Sequence, residues 1–284
     1  MKLSIITINL NSKKGLEKTI NSVLMQLFCD YEYILIDGDS NDESRATIYK
    51  YTDKFAYWVS EPDNGIYHAM NKGIRAAKGE YCLFLNSGDW LATPTILENI
   101  FANKPQADLI AGDVYFFDTL TNSIKWFVPS PDRITAKTLF LGTLPHQATF
   151  IRRSLFSKFG LYNEQLKIAS DWLFFLDALL LHGCSYQHHP EPVAYFNMDG
   201  ISCNPVTASL PRREQLYILR QKYPLFLPDY DQLDLLEKQS QSWLQSREYR
   251  VYCFLEHIGV IRVGIWARRL KRFVLRIFKT DRSW

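Results

Sequence analysis

No G-x-G-x-x-G follows the first apolar run of this chain, and no G-x-x-x-x-G-K followed by Ser or Thr occurs in it, so dinucleotide redox and P-loop chemistry are disfavoured. A G-x-S-x-G nucleophile elbow is also missing. The five cysteines (Cys29, Cys82, Cys184, Cys203 and Cys253) are scattered, odd in number and form no C-x-x-C pair. Neither a disulfide framework nor a zinc knuckle is expected, and a reducing cytoplasm fits best. No stretch of about 18 uninterrupted apolar residues exists, so no spanning helix is expected. The apolar run inside Met1–Ser12 is too short for a signal segment with a cleavage site and reads as a buried strand. No repeat or low-complexity tract stands out. What remains is ordinary globular composition: 284 residues, 47% hydrophobic, 22% charged, net charge +3. The charge is mild in total but unevenly placed.

Leu3–Ile8 is short, apolar and β-branched, which predicts a central strand. Asn11 or Ser12 can cap the helix that follows, in which Leu16, Ile20, Val23, Leu24 and Leu27 share one face. Strands are predicted at Tyr31–Ile36, Tyr57–Ser60 and Tyr81–Leu85, with helices over Asp42–Tyr51 and Ile66–Ala77 between them. That alternation argues for βαβ units and a mostly parallel sheet. Beyond Asp89 the pattern changes. Pro94–Ala102 reads as helix, and Leu109–Phe117, Ser123–Val128, Thr149–Ile151 and Pro192–Phe196 as strands of a mixed sheet. Ala169–Leu181 reads as one apolar helix, and from Ala208 the chain is mainly helical. A boundary is expected near Pro205, dividing a sheet domain (1–205) from a helical extension (206–284).

A parallel α/β sheet binds ligands at the carboxyl ends of its strands. Polar residues gather there: Thr7 and Asn9, Asp37 and Asp39, Glu61 and Asp63, then Asn86 to Asp89. Each group alone reads equally as turn chemistry. Their recurrence at successive strand ends argues for one cleft.

These segments resemble family-2 glycosyltransferases. Ser4–Asn9 and Ile36–Asp42 are similar to the opening of that family, and Ser60–Tyr67 with Ala69–Ile74 to its third signature. Phe84–Asp89 resembles its metal-motif strand, and His146–Phe150 with Ile168–Trp172 the acceptor-side half of a bacterial subgroup making cell-surface glycans. The resemblance covers roughly residues 1–202. It implies a GT-A-like α/β fold, a mostly parallel mixed sheet flanked by helices, with the helical extension at the C-terminus.

The resemblance also implies roles. Thr7 and Asn9 would line the base and ribose. Asp37 or Asp39, with Asp39 favoured, would accept from the base ring N–H, a task suited to an acceptor-only carboxylate. Asp63 and Asn71 would complete the nucleotide site. Read by itself, Asp37 is also a turn or capping residue. A diphosphate leaving group needs its charge neutralised, which a hard cation, Mn²⁺ or Mg²⁺, achieves through carboxylate oxygens. The family usually carries two acidic residues spaced by one here; Asn86 and Gly88 stand at those places, and Asp89 is left as the metal ligand. Asp89 as a mere turn cap stays open. Asp171, heading an apolar helix, would be the general base of an inverting displacement, and its capping role is compatible with that. The helix dipole would lower its pKa and apolar walls would raise it. Glu61, Tyr67, His68, Asn86, Ser87, His146, Gln147 and Trp172 would face donor or acceptor; His68 replaces a frequent Asp of the subgroup. Asp199–Ser202 resembles a loop that closes over the donor, with Gly200 supplying backbone freedom.

The last helix carries its own signal. Trp266, Leu270, Phe273, Val274 and Ile277 fall on one face, and from Arg262 to Trp284 there are eight Lys or Arg against one Asp, a net +7. That composition suits an interfacial helix on an anionic bilayer, or a packing helix with a solvated basic face. Stacking aromatics do not interleave with the basic residues, so no nucleic-acid partner is expected. The expected activity is transfer of a hexosyl group from a nucleotide sugar, such as a UDP-sugar, to a hydroxyl of a growing lipid-linked glycan. The place of action would be the inner face of a bacterial cytoplasmic membrane, in lipopolysaccharide or capsule synthesis. Two rivals are a sugar-nucleotidyltransferase, whose Gly-rich basic loop Asn9–Ser12 does not supply, and an inactive nucleotide-sugar-binding module.

Overall fold

The computed structural model describes residues 1–200, 203 and 207–257. Two compact units result, Met1–Pro224 and Leu225–Trp284. In the first, β1 (Leu3–Asn9), α1 (Lys13–Leu24), β2 (Tyr31–Asp37), α2 (Ser44–Lys50), β3 (Tyr57–Ser60), α3 (Ile66–Ala76) and β4 (Tyr81–Phe84) form the expected βαβ half. β5 (Trp90–Leu91), α4 (Ile96–Ala102), β6 (Leu109–Asp118), β7 (Ser123–Val128), α5 (Ala136–Leu141), β8 (Thr149–Arg152), α6 (Ser154–Phe159), α7 (Ser170–Leu176), β9 (Tyr186–Asn197) and α8 (Leu210–Lys222) complete it. The second unit contains α9 (Leu227–Gln245) and α10 (Arg247–His257). Among the described residues no helix is long and apolar enough to cross a membrane.

The strand order is β3-β2-β1-β4-β8-β6-β9-β5, with β7 paired to β6. β3, β2, β1 and β4 are mutually parallel; β8 runs antiparallel to both β4 and β6, and β9 is parallel to β6. The apolar run of β1 follows from burial on both faces. Leu3 and Ile5 join Leu16, Ile20 and Val23 of α1 in the main core. Ile6 meets α3 on the other face, where a Cβ on Gly73 would collide with its methyl. The order reverses between β1 and β4, so the crevice outside their carboxyl ends is the topological switch point.

Three elements differ from the sequence reading. α1 ends at Leu24, so Leu27 leaves the apolar face and is 61% exposed. The apolar run at 169–181 splits into α7 and a π-helical segment Asp177–Leu181, because apolar periodicity cannot separate i+4 from i+5 bonding over so short a stretch. The first unit runs past Pro205 to Pro224. α8 belongs to it because Ile218 and Leu219 are buried and the Glu214 carboxylate accepts the N–H groups of Lys167, Ile168 and Ala169.

Candidate active site

The switch-point crevice is lined from three strand ends. Asn9 at the end of β1 donates from its amide to Asp37 Oδ1 at 2.7 Å, and its carbonyl oxygen accepts from Ser87 Oγ at 2.8 Å. Asp37 is wholly buried and accepts four hydrogen bonds: from Asn9, from the Ser40 N–H, and from the hydroxyls of Ser40 and Ser60. Those donors occupy it fully, so Asp37 is the post that ties β1, β2 and β3 at the crevice floor. Thr7 is likewise wholly buried; its hydroxyl donates to the Leu85 carbonyl at 2.7 Å and lies 3.0 Å from Tyr33 Oη. It fastens β1 to the end of β4.

Asp39 stands differently. It is exposed, with left-handed backbone (φ 66°), and pairs with Arg45. It is the carboxylate of this turn that solvent can reach. Asp63 accepts from the Gly65 N–H, and its carboxylate occupies the space that a Cβ on Gly38 would need. Glu61 is exposed and pairs with Lys72 at 2.8 Å. His68 turns its Nδ1 back to accept the Asn64 N–H, closing the first turn of α3.

Asn71 is not in the crevice. Buried on α3, its amide donates to the Tyr162 carbonyl and to Glu164, and its oxygen accepts the Tyr162 N–H. It pins the loop before α7. Trp172 is 1% exposed and donates from its indole to the Leu139 carbonyl at 2.6 Å, anchoring α5. Both hold the acceptor-side half in place. Gln147 is buried in the short 3₁₀ turn His146–Ala148.

A hydrogen-bonded line crosses from α3 to the end of β4. Tyr67 Oη donates to Asp171 Oδ1 at 2.8 Å, His146 Nδ1 lies 3.1 Å from Asp171 Oδ2, and His146 Nε2 lies 3.2 Å from the Asn86 amide nitrogen. Burial pushes the Asp171 carboxyl up, but the bonds from His146 and Tyr67 outweigh it and hold the group below its ordinary range. Burial pushes His146 down; the bond and charge of Asp171, with the charge of Asp89, leave it raised. Burial and the neighbouring Asp171 charge drive the Tyr67 hydroxyl well above its ordinary value, so Tyr67 remains a donor. Of the sequence-expected acceptor-side residues, Asp171, Tyr67, His146 and Asn86 are therefore brought together.

Asp89 lies in the turn after β4, 4% exposed. Its Oδ1 accepts the Asn197 N–H at 2.8 Å, and burial pushes its carboxyl up to about 7 against the pull of that bond and of His146. Gly88 adopts φ 105°, and a Cβ there would stand 2.9 Å from the Asn197 amide, so the turn requires glycine. A divalent cation has hard donors here: Asp89 Oδ2 accepts nothing from any described residue, and Asn86 Oδ1 is buried without a hydrogen-bond partner. Among the described residues no group of three or more His, Cys, Asp or Glu could hold a metal by itself. The protein share of such a shell is small, as the single carboxylate of the motif implies.

Glu214 was not legible as a site residue. It braces the segment directly before Asp171 from α8, more than forty residues downstream, and no local signal marks it. Ser202 of the loop expected to close over the donor, and Ile201 beside it, lie outside the described residues, as does the segment 262–284, for which a basic helix is expected.

An uncharacterized glycosyltransferase of Mycobacterium tuberculosis is 35% identical over 184 residues, covering 63% of this chain and 69% of its own length. A PGL/p-HBAD biosynthesis glycosyltransferase of Mycobacterium bovis is 32% identical over 178 residues, covering 60% and 67%. Among solved structures, Staphylococcus aureus TarS 1–349 in complex with UDP-GlcNAc superposes with a TM-score of 0.58 at 22% identity, over 69% of this chain and 58% of that one. The Pyrobaculum calidifontis mannosyltransferase PcManGT, in complex with GDP-Man and Mn²⁺, superposes with a TM-score of 0.54 at 13% identity, over 90% and 84%. These two show the shared GT-A fold. The model of glycosyl transferase family 2 matches residues 4–160, from the first strand through the Asp89 turn and His146 to Gly160 after α6. With that model matching more than half its length, the chain belongs to glycosyl transferase family 2.

Proposed function

We propose that this nucleotide-sugar glycosyltransferase acts by inversion, with Asp171 as general base. The observation that carries the reading is the line Tyr67–Asp171–His146–Asn86, which joins a half-buried carboxylate, held below its ordinary pKa range, to the end of the metal-motif strand. The donor occupies the crevice outside β1, β2 and β4, its base beside Asp39 and Asp63. The acceptor hydroxyl approaches Asp171. As its oxygen bonds to the anomeric carbon, the proton passes to Asp171 and the bond from that carbon to the β-phosphate oxygen breaks. His146 and Tyr67 keep Asp171 ionised and oriented until then. Asp89 Oδ2 and Asn86 Oδ1 would hold Mn²⁺ or Mg²⁺, which when bound neutralises the departing diphosphate.

The donor is a hexosyl nucleotide of the UDP class, with GDP and dTDP sugars as alternatives; UDP-GlcNAc and GDP-Man in the related folds support that class. The acceptor is a growing, lipid-linked cell-surface glycan, a reading supported by the PGL/p-HBAD biosynthesis named for the mycobacterial relative. The chain would work at the inner face of the cytoplasmic membrane, held there by helix 262–284. Release of nucleoside diphosphate from a panel of nucleotide sugars, with and without acceptor and Mn²⁺, tests the reading. No release in any combination overturns it. The single carboxylate at the metal motif favours one rival, a nucleotide-sugar-binding module without turnover; donor binding with no diphosphate release would establish that rival.

A further inference from the structure

Four aromatic side chains form a straight row across the sheet. Trp90 of β5 pairs with Tyr195 of β9, Tyr195 with Tyr115 of β6, and Tyr115 with Phe127 of β7. Successive ring centroids are 4.7, 5.1 and 5.5 Å apart, and the first two rings are nearly parallel at 9°. The neighbouring residues Leu91, Ala194 and Val114 belong to the core, so strand alternation turns the row to the other face. There the rings are only partly covered, and Phe127 is 50% exposed. Neither tyrosine hydroxyl makes a hydrogen bond with any described residue. The Lys18 ammonium stands 3.0 Å over the Trp90 ring, placing a cation at the inner end.

A contiguous apolar surface left partly uncovered marks an interaction site. The position of this one narrows its occupant. Trp90 follows Asp89 directly, and Asn197, two residues beyond Tyr195, donates its N–H to Asp89. The row therefore starts at the metal-motif turn and leads away to β7. With strands about 4.8 Å apart it extends about 14 Å, more than one sugar needs. A protein or lipid seated there would crowd the turn that must admit the donor, whereas a polymer with its end in the site must lie beside it. Flat ring faces receive the C–H faces of sugars, and free tyrosine hydroxyls receive their hydroxyl groups.

We propose that the row Trp90–Tyr195–Tyr115–Phe127 is a stacking platform for the body of an acceptor oligosaccharide. This rests on the glycosyltransferase reading above. The probe is an array of bacterial surface oligosaccharides of graded length, offered to the full chain with UDP and Mn²⁺. Phe127→Ala and Tyr115→Leu should each weaken binding of the longer members about three- to tenfold. Trp126→Ala is the control: Trp126 is 57% exposed on the same strand but packs on Phe116 at the opposite face, so its loss should leave binding unchanged. Melting temperatures verify that each variant folds, and nucleotide-sugar binding by thermal shift should stay at wild-type level in all three. The proposal is overturned if the wild type binds no oligosaccharide, if Phe127→Ala has no effect, or if Trp126→Ala matches it. It is equally overturned if Phe127→Ala instead dissolves a self-associated form in sedimentation. Loss of donor binding by the wild type would sink the glycosyltransferase reading itself, a separate result.

Discussion

At the scale of single residues, the site rests on two carboxylates that their surroundings push in opposite directions. Asp171 is held low by two donors, whereas Asp89, with one, is pushed up to about 7. Asp171→Asn should lower kcat by about 10²–10⁴-fold while donor binding survives; near-normal turnover would remove Asp171 as the base. Tyr67→Phe removes a donor to the ionised form, so the Asp171 pKa rises. Because the base works deprotonated, the acid limb of the pH–kcat profile should move to higher pH; an unmoved limb would leave Tyr67 as packing alone. Asp89 has a raised pKa in the folded state, so its contribution to stability is fully present below the unfolded value of 3.8 and is lost as pH rises to about 7. Asp89→Asn should therefore raise the metal-free Tm at pH 8, by no more than about 4 kcal/mol in stability, and flatten the slope between those values. The same variant should lose the Mn²⁺-dependent gain in Tm with donor present. A lower Tm, or an undiminished Mn²⁺ effect, would contradict both parts.

At the scale of elements, the acceptor-side half is positioned by buried polar side chains that no local pattern reveals. Asn71 of α3 satisfies both backbone groups of Tyr162, and Glu214 of α8 satisfies three N–H groups before α7. Asn71→Leu leaves those Tyr162 groups buried and unpaired, which should cost about 2–4 kcal/mol in denaturant unfolding with donor affinity per folded molecule unchanged. A selective loss of donor affinity at full stability would return Asn71 to the nucleotide site. The parallel strands and α1 and α3 were legible because burial on both faces demands unbroken apolar runs and a 3.6-residue stripe. The α5 and α6 helices were not: each is six residues long, less than two turns, too short for a period to register.

At the scale of the whole molecule, the helical C-terminus carries the remaining expectation. Each basic residue near an anionic leaflet contributes about 1 kcal/mol, and the apolar stripe adds a hydrophobic term. Truncation before Arg262 should leave activity on a soluble acceptor and reduce sedimentation with anionic vesicles. The reduction should match that produced by salt, which screens exposed charges over about 8 Å. Undiminished pelleting of the truncated chain would remove the membrane role, and aggregation would make the helix part of the fold.

The family, the parallel half of the sheet and the strand ends where polar residues collect were all readable from the residues alone. Those follow from short-range chemistry, apolar runs and turn residues, and from a motif order that runs over roughly residues 1–202. Which polar side chains are spent inside the protein became visible with the fold. Thr7, Asp37, Asn71 and Trp172 share motifs with Asp39, Asp89 and Asp171, yet they spend their hydrogen-bonding capacity inside the protein. Whether a side chain binds a ligand or braces a backbone depends on which distant donors reach it. The line from Tyr67 through Asp171 to His146 joins positions up to 104 residues apart, a distance that no local pattern encodes.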